Sequence, residues 1–379
     1  MTVGKSNDQS DSAFARPDLW SELDTPCSLI DAAAVVRNVE RMAEYCRAHG
    51  LALRPHTKTH KSQRIARMQL DAGGVGLTVA KPGEASVMAA LHAETLIAYP
   101  SVTSASLKAI RDGVAEGDMI VALDSLEAAV RLEAALVDSQ WPARVLVDVD
   151  VGLHRTGMQT PEESVRLAAR IADSPKLELD GLFCYPGHIW SGPGEQAAEM
   201  QAVDAVLQSH ISRWKAEGLA APIVSGGSTP TAFQTHLTPS ITEIRPGTYV
   251  FNDMNTMRGG YCELSDCAVR ILATIVSTAV PGQVVMDAGA KTLAADRCIS
   301  APDSGHGYVV EYPAARICHL SEEHGQIDVS QCERRPRVGE RITVIPNHVC
   351  PTINLTDFAW WLTPSGAERL SIDARGKVR

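Results

Sequence analysis

Eight short β-rich segments, most of them separated by helical stretches, occupy the first two thirds of the chain and leave few folds open. The predicted strands are residues 51–54, 75–79, 95–99, 119–123, 144–149, 177–184, 222–224 and 242–250. Helical patterns over 81–91, 126–136, 161–172 and 194–217 separate several of them. Repeated strand–helix units give a parallel sheet, and eight of them predict an α/β fold of the (β/α)8 TIM-barrel type. A leading strand over 26–30 precedes them. Asp31 then caps a helix to about residue 49, with Val35, Val39 and Met42 on one face. Beyond about Gly260 the pattern changes. Strand-like segments at 268–280, 283–286, 307–310, 326–329 and 341–345 predict a mostly-β C-terminal domain. The expected organisation is an N-terminal arm at 1–24, a barrel at 25–259 and a β domain at 260–379, with the polar stretch 1–17 disordered or loosely attached.

Composition narrows the function. A formal net charge of −10 argues against nucleic-acid or anionic-membrane partners. No apolar run approaches the roughly 20 residues that span a bilayer. Nine cysteines, an odd number without a C-x-x-C pair, fit a reducing cytoplasm. Against this background the stretch Arg54-Pro-His-Thr-Lys-Thr-His-Lys61 is conspicuously basic. It follows the first barrel strand, where barrel enzymes collect their chemistry. A lysine there, among other cations, is expected to have a lowered pKa and to serve as an amine nucleophile. Read alone, the stretch also fits a basic surface turn.

Other strand ends add candidates. His154 and Arg155 follow the fifth strand, and Tyr185 and His188 the sixth. The seventh ends in Ser225-Gly-Gly-Ser-Thr-Pro230 and the eighth in Arg245-Pro-Gly-Thr-Tyr249. The turn Gly226, Gly227, Ser228, Thr229 offers backbone N–H groups and hydroxyls to an anion such as a cofactor phosphate. Farther on, His348 and Cys350 stand two apart, so on a strand both would share one face. Imidazole and thiolate suit Zn²⁺. Flanking Pro346 and Pro351 favour a fixed loop instead.

Taken together, Thr25-Pro26, the Arg54 to Lys61 stretch, Gly152-Leu-His-Arg155, Gly226-Gly-Ser-Thr229, Asp287-Ala-Gly289 and His348-Val-Cys350-Pro-Thr352 resemble, in that order, the D-serine dehydratase/D-threonine aldolase family. The resemblance spans roughly residues 20 to 375. It implies a pyridoxal-phosphate-binding, alanine racemase-like barrel with a C-terminal β domain. Lys58 would match the lysine that holds the cofactor, and Arg155 the arginine facing its pyridine nitrogen. The Gly226–Thr229 turn with Gly247, Thr248 and Tyr249 would match the phosphate site, with His56 and Tyr185 also against the cofactor. His348 and Cys350 would match the metal ligands beside the substrate hydroxyl.

The family's aldolases usually carry His-x-Asp at the metal pair and its D-serine dehydratases His-x-Cys, so Cys350 implies a zinc-dependent dehydratase. Mn²⁺ or another divalent ion stays open. The expected substrate is a D-3-hydroxy amino acid, foremost D-serine or D-threonine, which β-elimination would turn into a 2-oxo acid and ammonia, with Lys58, Tyr185 and His188 as catalytic residues. Retro-aldol cleavage, with His188 or His154 as base, is the alternative within the family. Racemisation leaves the metal pair unexplained. A non-catalytic pyridoxal-phosphate-binding protein is the alternative from another class. A homodimer is the expected assembly.

Overall fold

The computed structural model describes residues 12–116 and 119–379. Its contacts divide the chain into two units. One comprises the residues up to Val39 together with Thr248–Arg375, and the other Glu40–Gly247 with Gly376–Arg379. These limits differ from the expected domain boundaries at 25 and 260.

The first strand, β1 (Cys27–Asp31), leads into the helix Ala32–His49, within which the partition falls. Asp31 caps that helix, its Oδ1 accepting from the backbone N–H groups of Ala33 (3.0 Å) and Ala34 (3.3 Å). Val35, Val39 and Met42 are buried along one face.

The barrel unit is built on β2 (Ala52–Leu53), β3 (Leu77–Val79), β4 (Thr95–Ile97), β5 (Met119–Leu123), β6 (Ala143–Asp148), β7 (Leu177–Phe183), β8 (Ile223–Gly226) and β9 (Glu243–Ile244). All pairings are parallel, in the order β2-β9-β8-β7-β6-β5-β4-β3. The ring closes between β2 and β3 through Val75 N to Leu53 O (2.9 Å), Thr78 N to Pro55 O (2.9 Å) and Thr57 N to Thr78 O (2.8 Å). All eight predicted barrel strands are present. The last is much shorter than 242–250, because Pro246 interrupts the ladder and Thr248–Val250 coil into a 3-10 turn.

Inside the barrel, Leu96, Ile120, Ala122, Leu146 and Phe183 form an apolar layer. Charged side chains are buried in this unit as well. Arg54 Nε donates to Glu243 (2.8 Å), and both side chains are buried. Glu94 pairs with Arg54 and with Arg144, and Arg144 Nε reaches Asp180 at 2.6 Å. Gly76 makes room for this network, since a Cβ there would lie 2.2 Å from an Arg54 guanidinium nitrogen.

The other unit contains β10 (Val269–Ser277), β11 (Gln283–Met286), β12 (Tyr308–Val309), β13 (Arg316–Leu320), β14 (Gly325–Asp328), β15 (Arg341–Ile345), β16 (Phe358–Thr363) and β17 (Gly366–Ser371). With β1 they make a nine-stranded, mostly antiparallel sheet. The leading strand β1 therefore belongs here, pairing antiparallel with β10 and parallel with β16. The strands β13, β16 and β17 were missed by the sequence reading, their polar and aromatic residues obscuring the alternation. The core of this sheet is apolar throughout, with Ile271, Ile275, Met286, Ile317 and Val344 all fully buried.

The segment expected to hang loosely at the N-terminus lies partly outside the described residues. Its described part packs onto this unit. Ala13 and Phe14 join Leu29, Leu272 and Leu362 in a cluster, and Ser12 donates to Asp31 at 2.7 Å. Burying an aromatic ring outweighs the polarity of its neighbours. Thr25 donates to Asp287 Oδ2 at 2.6 Å, joining two motifs that are 262 residues apart. Among the described residues no helix is long and apolar enough to cross a membrane.

Candidate active site and metal pair

The barrel residues singled out in the sequence lie on loops leaving several strand ends. The turn after β2 is fixed by backbone bonds, His56 N to Pro246 O (3.0 Å) and Lys61 N to Thr57 O (2.8 Å), so Lys58 is carried at its apex. Burial, together with the charges of Lys58 and Arg245, lowers the His56 pKa well below the usual imidazole range. The ring is neutral, and its Nδ1 accepts from the Lys58 amide at 3.4 Å. Lys58 Nζ stands 5.9 Å from the centre of the Tyr185 ring, and the Arg155 guanidinium 4.9 Å from the same ring. Two cations from two strand ends thus share the aromatic ring carried by a third. His188 is exposed, its ring against Gly152, where a Cβ would come within 3.0 Å; Gly152 also has φ +121°, so a side chain is doubly disfavoured.

Three carboxylates that the sequence reading did not single out brace the loop carrying Arg155. Asp148 accepts from Thr156 Oγ1 (2.8 Å) and Asp124 from Gly157 N (3.3 Å). Asp150 accepts from the backbone of Gly152 (2.9 Å) and His154 (3.0 Å) and pairs with the His154 ring (2.7 Å). Burial pushes Asp150 up, but these hydrogen bonds prevail and hold it at about 2. For Asp148 burial prevails, and with Asp124 nearby its pKa rises to about 7 despite the Thr156 bond. His154 therefore supports the loop, with most of its side chain in solvent.

The glycine turn follows β8. Gly227 has φ +80°, and a Cβ on it would press Ile244 at 3.2 Å. Ser228 is buried and shares a hydrogen bond with Thr231 (3.0 Å), while Thr229 is half-buried. Gly247 packs on the Lys58 turn, 3.1 Å being left between its ideal Cβ and the His56 carbonyl. Beneath the turn, Arg245 is fully buried. It donates to Ser225 Oγ (2.7 Å) and Cys184 O (2.7 Å) and stacks on Phe183 at 3.8 Å. Burial lowers its pKa to about 10, still well above neutrality. A lysine, an arginine, an aromatic ring and a turn with a left-handed glycine and hydroxyls fit a phosphorylated aldehyde cofactor such as pyridoxal phosphate. Thr248 and Tyr249, expected at the phosphate site, fall in the other unit. There Thr248 Oγ1 lies 3.7 Å from Cys350 Sγ, and Tyr249 is buried.

In that unit His348 and Cys350 do not share a strand. His348 is the extended residue before the short helix Val349–Asn354, and Cys350 lies in its first turn. Asp253 Oδ2 anchors this corner by accepting from Val349 N at 3.0 Å. Asp296 accepts from His348 Nδ1 at 3.1 Å, which leaves Nε2 as the outward nitrogen. Burial lowers the His348 pKa, but hydrogen bonding and charge from Cys350, with Asp253 and Asp296, raise it to about 9. A histidine oriented through a carboxylate and a cysteine side by side fit a zinc-like ion. Among the described residues no group of three or more His, Cys, Asp and Glu is arranged to hold a metal ion. Asp296 has no local signal in the sequence, lying 52 residues from His348.

Residues 30–254 match the family model of the alanine racemase N-terminal domain, and 268–361 that of a serine dehydratase domain. The D-threo-3-hydroxyaspartate dehydratase of Delftia sp. (strain HT23) is 31% identical over 88% of this chain and 93% of its own. Its structure superposes with a TM-score of 0.84 over 92% of this chain and 97% of that one, and a variant of it is known in a metal-free form. The 3-hydroxy-D-aspartate aldolase of Paracoccus denitrificans (strain Pd 1222) is 28% identical over 94% and 93% of the two chains. The D-threonine aldolase structure from Filomicrobium marinum has a TM-score of 0.85 at 29% identity, covering 95% and 97%. With the barrel, the β unit and the ordered motifs all in place, the chain belongs to the D-serine dehydratase/D-threonine aldolase family of pyridoxal-phosphate-dependent lyases on an alanine racemase-like barrel.

Proposed function

We propose that the protein is a pyridoxal-phosphate- and zinc-dependent dehydratase of a D-3-hydroxy amino acid, converting it to a 2-oxo acid and ammonia. The donor set carries this reading: a thiolate at Cys350 beside a histidine oriented by Asp296, where the family's aldolases usually have a carboxylate. Pyridoxal phosphate, when bound, supplies an electron sink for the carbanion formed at the amino acid's Cα. A zinc ion held by His348 Nε2 and Cys350 Sγ supplies Lewis acidity toward a hydroxyl oxygen that must leave.

The chain's own residues do the rest. Lys58 Nζ holds the cofactor by its aldehyde and later takes the α-proton. Arg155, as the partner of the pyridine nitrogen, would keep that nitrogen unprotonated. The sink is then weaker, which increases the need for help at the leaving hydroxyl. The neutral His56 adds no further cation beside Lys58. The Gly226–Thr229 turn donates to the phosphate. His188, exposed in the same unit, is available to exchange protons with solvent. We take the working assembly to be a homodimer in the cytoplasm.

Retro-aldol cleavage to glycine and an aldehyde is the second reading, favoured by the comparable identity of dehydratase and aldolase relatives. Product analysis separates them. The loaded protein is given D-serine, D-threonine or D-threo-3-hydroxyaspartate. Ammonia with pyruvate, 2-oxobutanoate or oxaloacetate supports the dehydratase, whereas glycine from D-threonine or hydroxyaspartate would replace it with the aldolase. Zinc content measured on the purified protein and on Cys350→Ala tests the metal assignment independently.

A further inference from the structure

The turn that carries Lys58 holds a second lysine three residues later, and the two are treated differently. Lys58 is half-buried. Lys61 is buried, adopts a left-handed backbone at φ +51°, and places its Nζ 2.5 Å from Glu84 Oε1. Glu84 is itself 2% exposed. Its other oxygen accepts from the backbone N–H groups of Ala80 (2.6 Å) and Lys81 (3.3 Å), just before the helix Pro82–Met88. The carboxylate is therefore fixed before Lys61 reaches it. A left-handed conformation is unfavourable for a residue with a Cβ, so retaining it here needs a compensating interaction, which the ion pair supplies.

An amine captures an aldehyde only through its free base. The nitrogen lone pair forms the N–C bond, the carbonyl oxygen leaves as water, and a C=N bond remains. An amine nitrogen held 2.5 Å from a buried carboxylate is engaged in that contact and must leave it before it can bond to a carbonyl carbon. We propose that Glu84 masks Lys61, so that of two lysines in one turn only Lys58 condenses with the cofactor aldehyde. Glu84 is on this view a specificity-determining residue for the site of cofactor attachment. The proposal rests on the reading of Lys58 as the cofactor lysine.

The test uses pyridoxal phosphate as the probe, borohydride to reduce the C=N bond, and peptide mass mapping to locate the label. Wild type should be labelled at Lys58 and not at Lys61. Lys58→Ala should carry little label in the turn, and Lys58→Ala/Glu84→Gln should carry about tenfold or more at Lys61, once the charge-assisted hydrogen bond that holds its amine is lost. Circular dichroism checks that the double variant is folded. If it is not, Glu84→Gln alone is mapped, and label should appear on Lys61 where wild type has none. Lys61 labelled equally with and without Glu84, or unlabelled in a folded Glu84→Gln protein, overturns the mask while leaving Lys58 in place. A wild type without label at Lys58 instead overturns the cofactor assignment, and the mask with it.

Discussion

The two units differ in what they bury beside their apolar side chains. The β unit buries an apolar sheet face, Ile271, Ile275, Met286, Ile317 and Val344 among others. The barrel unit also buries apolar side chains, Leu77, Val121, Val145 and Trp214 among them, but beside its apolar layer around Phe183 it buries or half-buries the paired charges of Arg54, Glu94, Arg144, Asp180 and Glu243. A closed ring of short strands leaves a narrow interior, and long side chains entering from the ends occupy it while their charges pair off. Charged interiors contribute less net stability than apolar ones of the same volume, but they penalise any loss of a partner heavily. The barrel is thus the unit with fixed charges, and it holds the lysine and arginine of the candidate site. In the β unit, the corner with His348 and Cys350 is held by Asp253 and Asp296.

Perturbing each unit sharpens this contrast. The largest effect is expected at Lys58. Lys58→Ala should abolish the absorbance of lysine-bound cofactor and reduce turnover by at least about 10⁴-fold, the upper range of proton transfer alone. Absorbance that survives the substitution sinks the assignment.

Next comes the charged interior. Glu243→Ala leaves Arg54 and Ser225 without their buried acceptor and should cost about 3–5 kcal/mol in denaturant unfolding. A cost under about 1 kcal/mol, the range of exposed pairs, would mean that water reaches this end of the barrel.

Asp148 gives a pH signature. Its folded pKa, about 7, exceeds the ordinary 3.8, so the folded state binds the extra proton between those values. The stabilisation it contributes is complete below about 3.8 and is lost as pH rises to 7 and beyond. Asp148→Asn should therefore gain stability relative to wild type across that window, by up to about 4 kcal/mol, and the gain should level off at higher pH. Thermal melts at pH 5 and pH 8 with the same difference between variant and wild type would contradict this.

In the β unit the expected effects are smaller. Asp296→Ala frees the His348 ring and should weaken zinc binding about 10–100-fold in a competitive chelator titration, with cofactor absorbance unchanged. Unaltered zinc affinity would remove Asp296 from the site. Ile317→Val, in the apolar core, should cost only about 0.5–1.5 kcal/mol. A larger loss would show that this core tolerates change no better than the charged one.

Much of the candidate site was legible because its residues follow the strand ends. Lys58, Arg155, Tyr185, His188 and the Gly226 turn each follow a β-rich segment, and barrel geometry carries such positions to one end. Their supports were not legible. Asp124, Asp148 and Asp150 look like ordinary polar residues until loops from neighbouring strands meet. Glu84 looks like a helix-start acid until Lys61 turns toward it. His348 and Cys350 were legible as a pair by chemistry, but where the flanking prolines favoured a fixed loop, His348 stands just before a short helix and Cys350 in its first turn.

Alternation of apolar and polar residues therefore determined, without further information, that eight strands and their helices form a barrel and that a β-rich segment follows. It did so because burial on one face is a local, periodic property. Pairing is not local. That β1 leaves the barrel for the second sheet, that Arg54 meets Glu243, and that Asp296 orients His348 across 52 residues were decided only when the chain closed and brought distant groups within hydrogen-bonding distance. A hydrogen bond or ion pair acts over a few ångströms, and no sequence interval encodes that distance.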